Sequence, residues 1–446
     1  MDWATTVGNP AAEAVLLALG DRGFDAVELY RKRGRVRRLE GRLGESVLTQ
    51  TEERGWAVRA SSRRGSLFVA GTGEPRPAGP WPEADGMPIR LPDASPVAPW
   101  RPPGDLEAPL IVENEARELL RALTVELERE LPGAAILRAV VEDGASEDRI
   151  LSTRGIDASS RRRLATLFLE AVAPDMQTSV TLYRAERGAG RFNPRALARR
   201  LVDRLLVLRA GPGPERDRGD FLLAPPVGVQ LLAGLMPLFV GPGAAKRVNE
   251  LRDRSGQLAR ETLTLIDNGR LPGGLLESPV DGEGVATRET TIVESGTFRQ
   301  PLLAWWQSET VEGRSSGCAR RASWREVPRA QPTHLFWKPS REISVAYLLG
   351  EVARGYYLLD TQGAGRFDLA EDRFALPVCG FVIRSGRATA PLGRSWLCGP
   401  ISGFLHGVQK LARDLVFLPL GGMLGSPSML VTGLELRSAP NVGGPL

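Results

Sequence analysis

Two histidines, His334 and His406, stand 72 positions apart, and three cysteines, Cys318, Cys379 and Cys398, stand singly with no CxxC pair. That is a poor donor set for a metal. A zinc site takes three or four nitrogen, sulfur or oxygen ligands, and its compact signature is two imidazoles one helical turn apart, as in HExxH. No such pair occurs here. His334, in QPTHLFW, is expected to be a satisfied residue near a strand start. His406, in GFLHGVQ, is expected to be packed or capped beside glycine. Serine chemistry is not expected either: Gly425-Ser426-Pro427-Ser428 reads as a turn. Neither a GxxxxGK[ST] phosphate loop nor a GxGxxG after a strand is present.

The polar groups that remain cluster in two segments. Asp281-Gly282-Glu283-Gly284 is an acidic loop punctuated by glycine. It either binds a cation, receives a basic group from a partner, or is a plain turn whose carboxylates accept backbone N–H bonds. Ser315-Ser316-Gly317-Cys318-Ala319-Arg320-Arg321 places two guanidinium groups after a run of small residues. One of them would hold a carboxylate in a two-pronged grip, that of Asp281, of Glu283 or of a substrate terminus, unless the segment is a solvated turn.

The elements that must position these groups follow from periodicity. Residues 10–20 read as a helix. FDAVELYRKR, GRVRRLEG, ESVLTQ, GWAVRA and GSLFVAG then read as an antiparallel meander. Eleven prolines in residues 71–109 forbid a ladder or a helix interior and predict a linker or long surface loop. Val112, Ala116, Leu119, Leu120, Leu123, Leu127 and Leu131 share one helical face, ended by Pro132-Gly133. AAILRAVVED, RILSTRGID, RRRLATLFLEAV and MQTSVTLYRAE read as strands, and PRALARRLVDRLLVLR as a helix. GPGPERDRG at 211–219 is the clearest boundary. Beyond it come short β-type runs (TLTLID, TRETTIVESG, FRQPLLAWW, GYYLLD, FALPVCGFVIRSG, SMLVTGLEL) and one helix over 341–354. The fold class is therefore α+β: an N-terminal region of antiparallel sheet and helices, and a large β-rich, barrel-like C-terminal domain. The divisions are 1–70, the proline-rich 71–109, a helix–strand region at 110–210 packed on the N-terminal part, and 220–446.

Composition narrows the class. The chain has 446 residues, 42% hydrophobic and 25% charged. That profile suits a soluble protein of two or three domains. The 58 basic residues are nearly matched by 53 acidic ones, so the net charge argues little for nucleic acid. Phe221 to Ala245 carries no charge, but its longest proline-free part, Val227 to Met236, is too short for the ~30 Å of a membrane core. A start without basic and apolar signal regions, together with sparse unpaired cysteines, predicts a cytoplasmic protein.

Taken in order, these segments resemble the TldD/PmbA metalloprotease family. LPGGLLESPVDGEGVATRETTIVESGTFRQPLL is similar to its central block, a Pro-Gly turn, a D-x-E-G loop, a strand and a hairpin. SGCARR is similar to its TGNARR-like element. GYYLLDTQGAGRFDLAEDRFALPVCGFVIRSGRATAPL and GSPSMLVTGLEL are similar to its later strands, and DAVELY and ILSTRGIDAS to its N-terminal region. The 71–109 stretch is the main unmatched part. PTHLFWKPS departs from the family's NTxxxxG element: it lacks the preceding asparagine, and Ser340 replaces the turn glycine.

The resemblance implies a role. TldD-type chains carry HExxxH on a helix opening the C-terminal domain; two histidines and a later cysteine hold zinc, and the glutamate activates water. The matching helix here, Pro226 to Val240, has neither His nor Glu, and Leu420 to Leu430 has no Cys. This agrees with the PmbA/TldE branch. It implies no catalytic or metal residue in this chain, zinc in a TldD-type partner, unstructured peptides as substrates, and a family loop of Asp281, Glu283, Gly284, Arg320 and Arg321 that lines the cavity. The alternative is a non-proteolytic regulatory self-dimer, as in relatives described as gyrase modulators.

Overall fold

Residues up to 186 supply one long six-stranded antiparallel sheet, whose buried positions alternate most regularly along Asp157–Val172. The computed structural model describes residues 10–42, 45–79, 81–100, 109–174, 179–208, 213–241, 257–308 and 314–438. Helix α1 (Pro10–Asp21) leads into β1 (Ala26–Arg42), β2 (Glu45–Ser62) and β3 (Gly65–Thr72). Helix α2 (Glu113–Glu130) leads into β4 (Ala135–Ser152), β5 (Asp157–Val172) and β6 (Val180–Glu186), and α3 (Pro194–Leu208) closes the region. The spatial order is β3-β2-β1-β4-β5-β6, so the central β1–β4 pairing joins strands far apart in the chain. The strands are longer than their apolar patches predict. Charged stretches such as Arg31–Arg38 stay in the ladder because acids on neighbouring strands answer them, as in Lys32–Glu53 and Arg38–Glu142.

One face of the sheet packs under helices. Val27, Leu29, Val58, Ala60 and Leu67 lie beneath Ala12, Val15 and Leu19 of α1. Farther along, Leu39, Val141, Leu167, Leu169 and Leu182 meet Leu123 and Leu127 of α2 and Leu201 and Leu205 of α3. Each fully buried leucine contributes about 1.5–3 kcal/mol. Burying α2 also buries an ion pair. Arg163 grips Asp143 through Nε at 3.0 Å and Nη2 at 2.7 Å, and Asp143 accepts the Ile111 N–H at 2.8 Å, which fixes the chain just before the helix.

Gly71 and Thr72 of the proline-rich segment end β3; the rest of its described part forms no strand, but it is anchored. Trp81 and Leu91 are buried, and the Ile89 N–H donates to Ser61 Oγ at 3.0 Å. Residues 80 and 101–108 of that segment lie outside the described residues, as do residues 211 and 212 of the predicted boundary and the first nine residues. Arg216–Arg218, inside that boundary, pairs with Glu435–Arg437 at the edge of a C-terminal sheet.

The C-terminal half is β-rich, but among the described residues its strands do not close into a barrel. They form two open sheets and a ribbon. One sheet runs Thr297–Phe298, Glu289–Glu294, Leu265–Asn268, His334–Trp337, Met423–Ser426, Val416–Pro419. The larger one centres on Asp220–Leu223, Arg354–Thr361, Arg373–Arg384 and Arg387–Pro400, and Ala319–Arg320 pairs with Arg329–Ala330 as the ribbon. Helix α4 (Pro225–Gly234) is apolar nearly all round, and Val227, Val229, Leu231 and Leu232 are fully buried between the sheets. No described helix is long and apolar enough to cross a membrane. Of the FRQPLLAWW run, only its first residue, Phe298, is strand, as the end of Thr297–Phe298, and its two tryptophans open a helical turn, Trp305–Ser308. The expected helix at 341–354 shortens to Val345–Glu351, because Ser344 Oγ caps it by accepting the Tyr347 N–H.

The second face of the N-terminal sheet meets this C-terminal half. Tyr30, Ala57, Ile150 and Ile156 pack with Trp324. Gly55 lies directly under the Trp324 ring, where an added Cβ would overlap it. Gly55→Val is therefore expected to cost about 1–3 kcal/mol by overpacking. Urea unfolding checks this; an unchanged midpoint would show that the two halves do not press together there.

Candidate functional site

The acidic loop and the arginine pair meet on this second sheet face. Glu28 on β1 and Arg59 on β2 are direct partners in the strand register and project from the same face. Arg59 donates to both oxygens of Glu28, at 2.9 Å from Nε and 2.5 Å from Nη2. Its Nη1 reaches out of the sheet to Glu283 at 2.9 Å, and the second Glu283 oxygen accepts the Trp305 N–H at 2.7 Å. Arg321 completes the group. It donates to Glu28 and, through Nε, to the Gly282 carbonyl at 3.0 Å, while its guanidinium lies 4.5 Å over the Tyr30 ring. The side chains of Glu28, Arg59, Glu283 and Arg321 are each between 1% and 3% exposed. Two positive and two negative charges are thus buried together between the halves of the molecule.

Their ionisation follows from that balance. Burial alone would raise the Glu28 pKa, but Arg59 and Arg321 overcome it and hold the carboxylate below its ordinary range. Burial likewise opposes the charge on Arg59, and the Glu28 and Glu283 carboxylates more than restore it. Glu283 has only Arg59 and one backbone N–H against burial and a second carboxylate, so its pKa is raised.

Asp281 serves its own loop. One oxygen accepts the N–H groups of Glu283 at 2.9 Å and Val285 at 3.0 Å, and the other accepts that of Ala319 at 3.0 Å. Burial, with Glu283 nearby, pushes its pKa up to about 7. Gly284 needs to be glycine twice over: its φ is +80°, and a Cβ would sit 2.7 Å from Ile156 Cγ2. The loop therefore spends its carboxylates on Arg59 and on backbone N–H groups, and among the described residues no acidic cluster is left for a cation. The arginine expected to hold Asp281 or Glu283 does neither. Arg321 pairs with Glu28, because strand register places that carboxylate under it.

Arg320 faces the other way. With Tyr30, Asp148, Arg162, Asp281 and Thr333 it lines a cavity of about 30 Å³ at the margin between the sheet face and the C-terminal half. Asp148 accepts the Tyr30 hydroxyl at 2.8 Å and a bond from Arg162. Arg320 donates to the Leu276 carbonyl at 3.4 Å, and among the described residues it has no ion pair. Burial and the neighbouring Arg162 lower its pKa to about 10.

Of the two histidines, His334 is satisfied in the core as expected, whereas His406, expected to be packed or capped, is not. His334 is fully buried at a strand start; its Nδ1 lies 2.9 Å from the Asn268 carbonyl and its Nε2 accepts the Leu276 N–H at 3.2 Å. That arrangement fixes a neutral ring, and burial holds its pKa down to about 4. His406 is exposed at the end of another helix. The thiols of Cys318 and Cys379 are buried and held protonated, that of Cys318 well above its usual range. These donors do not fit a zinc ion: no imidazole lone pair is free at the buried site, and no thiol there is poised to ionise.

Several participants are invisible in the motif reading. Glu28, Tyr30, Arg59 and Arg162 read as ordinary strand residues, and Asp148 falls between two runs read as strands. For Glu28 and Arg59 the signal is cross-strand: opposite charges at paired positions, each between apolar residues that face the other side of the sheet. A GxSxG spacing that ends at Gly317 is also missed by the motif reading. Ser315 there is buried with Oγ 3.5 Å from the Leu303 carbonyl, and it is part of a turn, not of a strand-to-helix elbow.

Comparison with known proteins agrees with this architecture. A model of the PmbA/TldA metallopeptidase central domain matches residues 107–209, and one of the PmbA/TldA metallopeptidase C-terminal domain matches residues 217–438. An uncharacterized protein of Methanocaldococcus jannaschii, MJ0231, is 26% identical over 330 residues, 72% of this chain and 75% of that protein. Metalloprotease PmbA of Escherichia coli O157:H7 is 22% identical over 199 residues, 44% of this chain and 42% of PmbA. The crystal structure of TldE from Thermococcus kodakarensis superposes with a TM-score of 0.84 at 17% identity, covering 96% of this chain and all of that one. A candidate modulator of a DNA gyrase from Thermotoga maritima gives 0.81 at 17% identity, covering 95% of this chain and 98% of that one. With both domain models matched in order and the full-length fold shared, the chain belongs to the PmbA/TldD metallopeptidase family.

Proposed function

We propose that this chain is the non-catalytic subunit of a TldD-type zinc metallopeptidase that acts on unstructured peptides. One observation carries the reading: α4, which opens the C-terminal domain where TldD-type chains carry HExxxH, is PPVGVQLLAG, with no imidazole and no carboxylate. A helix with that sequence is built to be buried. The two histidines that exist are elsewhere, and the buried one uses both ring nitrogens in hydrogen bonds. Zinc, water activation and peptide cleavage then belong to a TldD-type partner, and this chain supplies cavity wall and binding surface.

Co-expression with the TldD-type chain of the same organism tests this. A heterodimer on gel filtration, zinc at one equivalent per heterodimer, and peptidase activity only in the mixed sample are expected. Stoichiometric zinc with peptidase activity in the purified single chain would sink the proposal. So would a stable self-dimer that ignores every TldD-type chain, the behaviour of a regulatory protein.

A further inference from the structure

We propose that the cavity between Arg162 and Arg320 is a carboxylate-binding site, and that it takes a carboxylate borne by a peptide. The inference rests on the reading above and deepens it by naming a recognition element of the substrate.

Three features support it. First, the Nε atoms of both Arg162 and Arg320 are buried and have no hydrogen-bond partner. A buried donor left unmade is costly, more so on a charged group, and both belong to residues that line this cavity, so a shift of either side chain toward an acceptor held there would be favoured. Second, the two arginines are not balanced alike. Arg162 is paired with Asp148, but Arg320 makes only the long bond to the Leu276 carbonyl; the two carboxylates that act on its charge, Asp267 and Asp281, form no ion pair with it and accept backbone N–H groups instead. A planar fork of N–H groups without a carboxylate is the complement of one. Third, the space fits. The cavity measures about 30 Å³. One water needs roughly 10–15 Å³. The cavity is therefore larger than a single water requires, which suits a carboxylate and is cramped for a tetrahedral phosphate. The Arg162 side chain is 32% exposed, so the site opens to solvent on that side, and the rest of the ligand would trail out over the sheet.

The carboxylate has two sources, a peptide C-terminus or an acidic side chain, and the test separates them. Three pentapeptides carrying an uncharged fluorophore at the N-terminus are titrated with the full chain alone, with anisotropy as the readout: pentaalanine with a free C-terminus, its amide, and Ala-Ala-Glu-Ala-Ala amide. At least one carboxylate-bearing peptide is expected to bind ten times tighter than the pentaalanine amide. Arg320→Gln is expected to erase that preference, and Arg162→Gln to reduce it several-fold. If Arg320→Gln fails to show a cooperative unfolding transition, Arg162→Gln, at the open side of the cavity, decides. Equal binding of all three peptides, binding by none at millimolar concentration, or a preference untouched by the substitutions that fold would each overturn the proposal. Gel filtration with the TldD-type chain is scored separately. A heterodimer without carboxylate preference sinks only this inference, and carboxylate preference without a heterodimer sinks only the subunit assignment.

Discussion

Arg59→Met is expected to lose about 3–5 kcal/mol of stability at pH 7.5, the figure that removing one partner of a buried ionic group costs, because the carboxylates that remain stay buried without compensation. No other substitution on this face should cost more. Arg59 is the residue that touches both acids, Glu28 on the sheet and Glu283 on the C-terminal loop. After the substitution Glu28 keeps Arg321, but Glu283 keeps only the Trp305 N–H. Its cheapest response is to take up a proton, so the deficit should shrink as pH falls toward 5. Arg59→Lys keeps the charge and loses the fork, and should fall between wild type and Met. Urea unfolding at pH 5, 6 and 7.5 reads all of this. If Arg59→Met stays within about 1 kcal/mol of wild type at every pH, an ordinary surface-like effect, the Arg59 ion pairs are not what holds the two halves together.

The same network shows what can be read from a sequence and what cannot. The helices at 113–130 and 194–208 are legible because an apolar stripe at helical spacing has one stable use. The strands are legible in type but not in length: FDAVELYRKR and GRVRRLEG read as separate pieces, whereas Ala26–Arg42 is one strand once the acids of β2 and β4 are set beside its arginines. Asp281, Glu283, Arg320 and Arg321 stand out by composition and motif, and they do converge. Their partners do not stand out. Glu28 and Arg59 are 31 residues apart, and Glu283 is 224 residues from Arg59. Nothing local to any of them records that register. A barrel-like closure is a fair inference from many short strands, but closure depends on hydrogen bonds at the last edges, which periodicity does not encode. The loop at 333–340 shows the limit of motif matching from the other side. Ser340 stands where the resemblance expects glycine, and its Oγ accepts the N–H groups of Glu342 and Ile343, both at 3.2 Å, so a different residue closes the turn by another route.

Stability should fall as pH rises from 5 to 8, the reverse of the usual acid-sensitive behaviour. Burial pushes the pKa values of Asp267 and Asp281 up to about 7, against 3.8 for an unperturbed aspartate. The sign is set by which state holds more protons. Between pH 4 and 7 the folded chain keeps protons on both groups that the unfolded chain has lost, so unfolding releases protons and is favoured by raising the pH. The contribution is whole below pH 4 and gone above pH 7. Two units of that window lie between pH 5 and 7, at up to about 1.4 kcal/mol each per group, so the pair is expected to remove at most about 5–6 kcal/mol. His334 opposes it in part: burial holds its pKa down to about 4 against 6.5 for an unperturbed imidazole, so between pH 5 and 6.5 the unfolded chain holds a proton that the folded chain lacks, and about 2 kcal/mol of the fall is offset there. Glu28 does not oppose it, because Arg59 and Arg321 keep it ionised throughout the range; its own contribution disappears only in stronger acid. Glu283, with its raised pKa, adds to the slope in the same direction. Asp267→Asn separates the contributions. Asparagine can still accept the Thr333 N–H, bonded at 2.8 Å to Asp267, but it has no proton to lose, so the variant should show roughly half the pH slope and gain stability relative to wild type at pH 8. Urea unfolding free energies at four pH values check it. A curve that rises from pH 5 to 8 would mean that backbone N–H bonds to these carboxylates outweigh their burial, and that both are ionised in the folded chain.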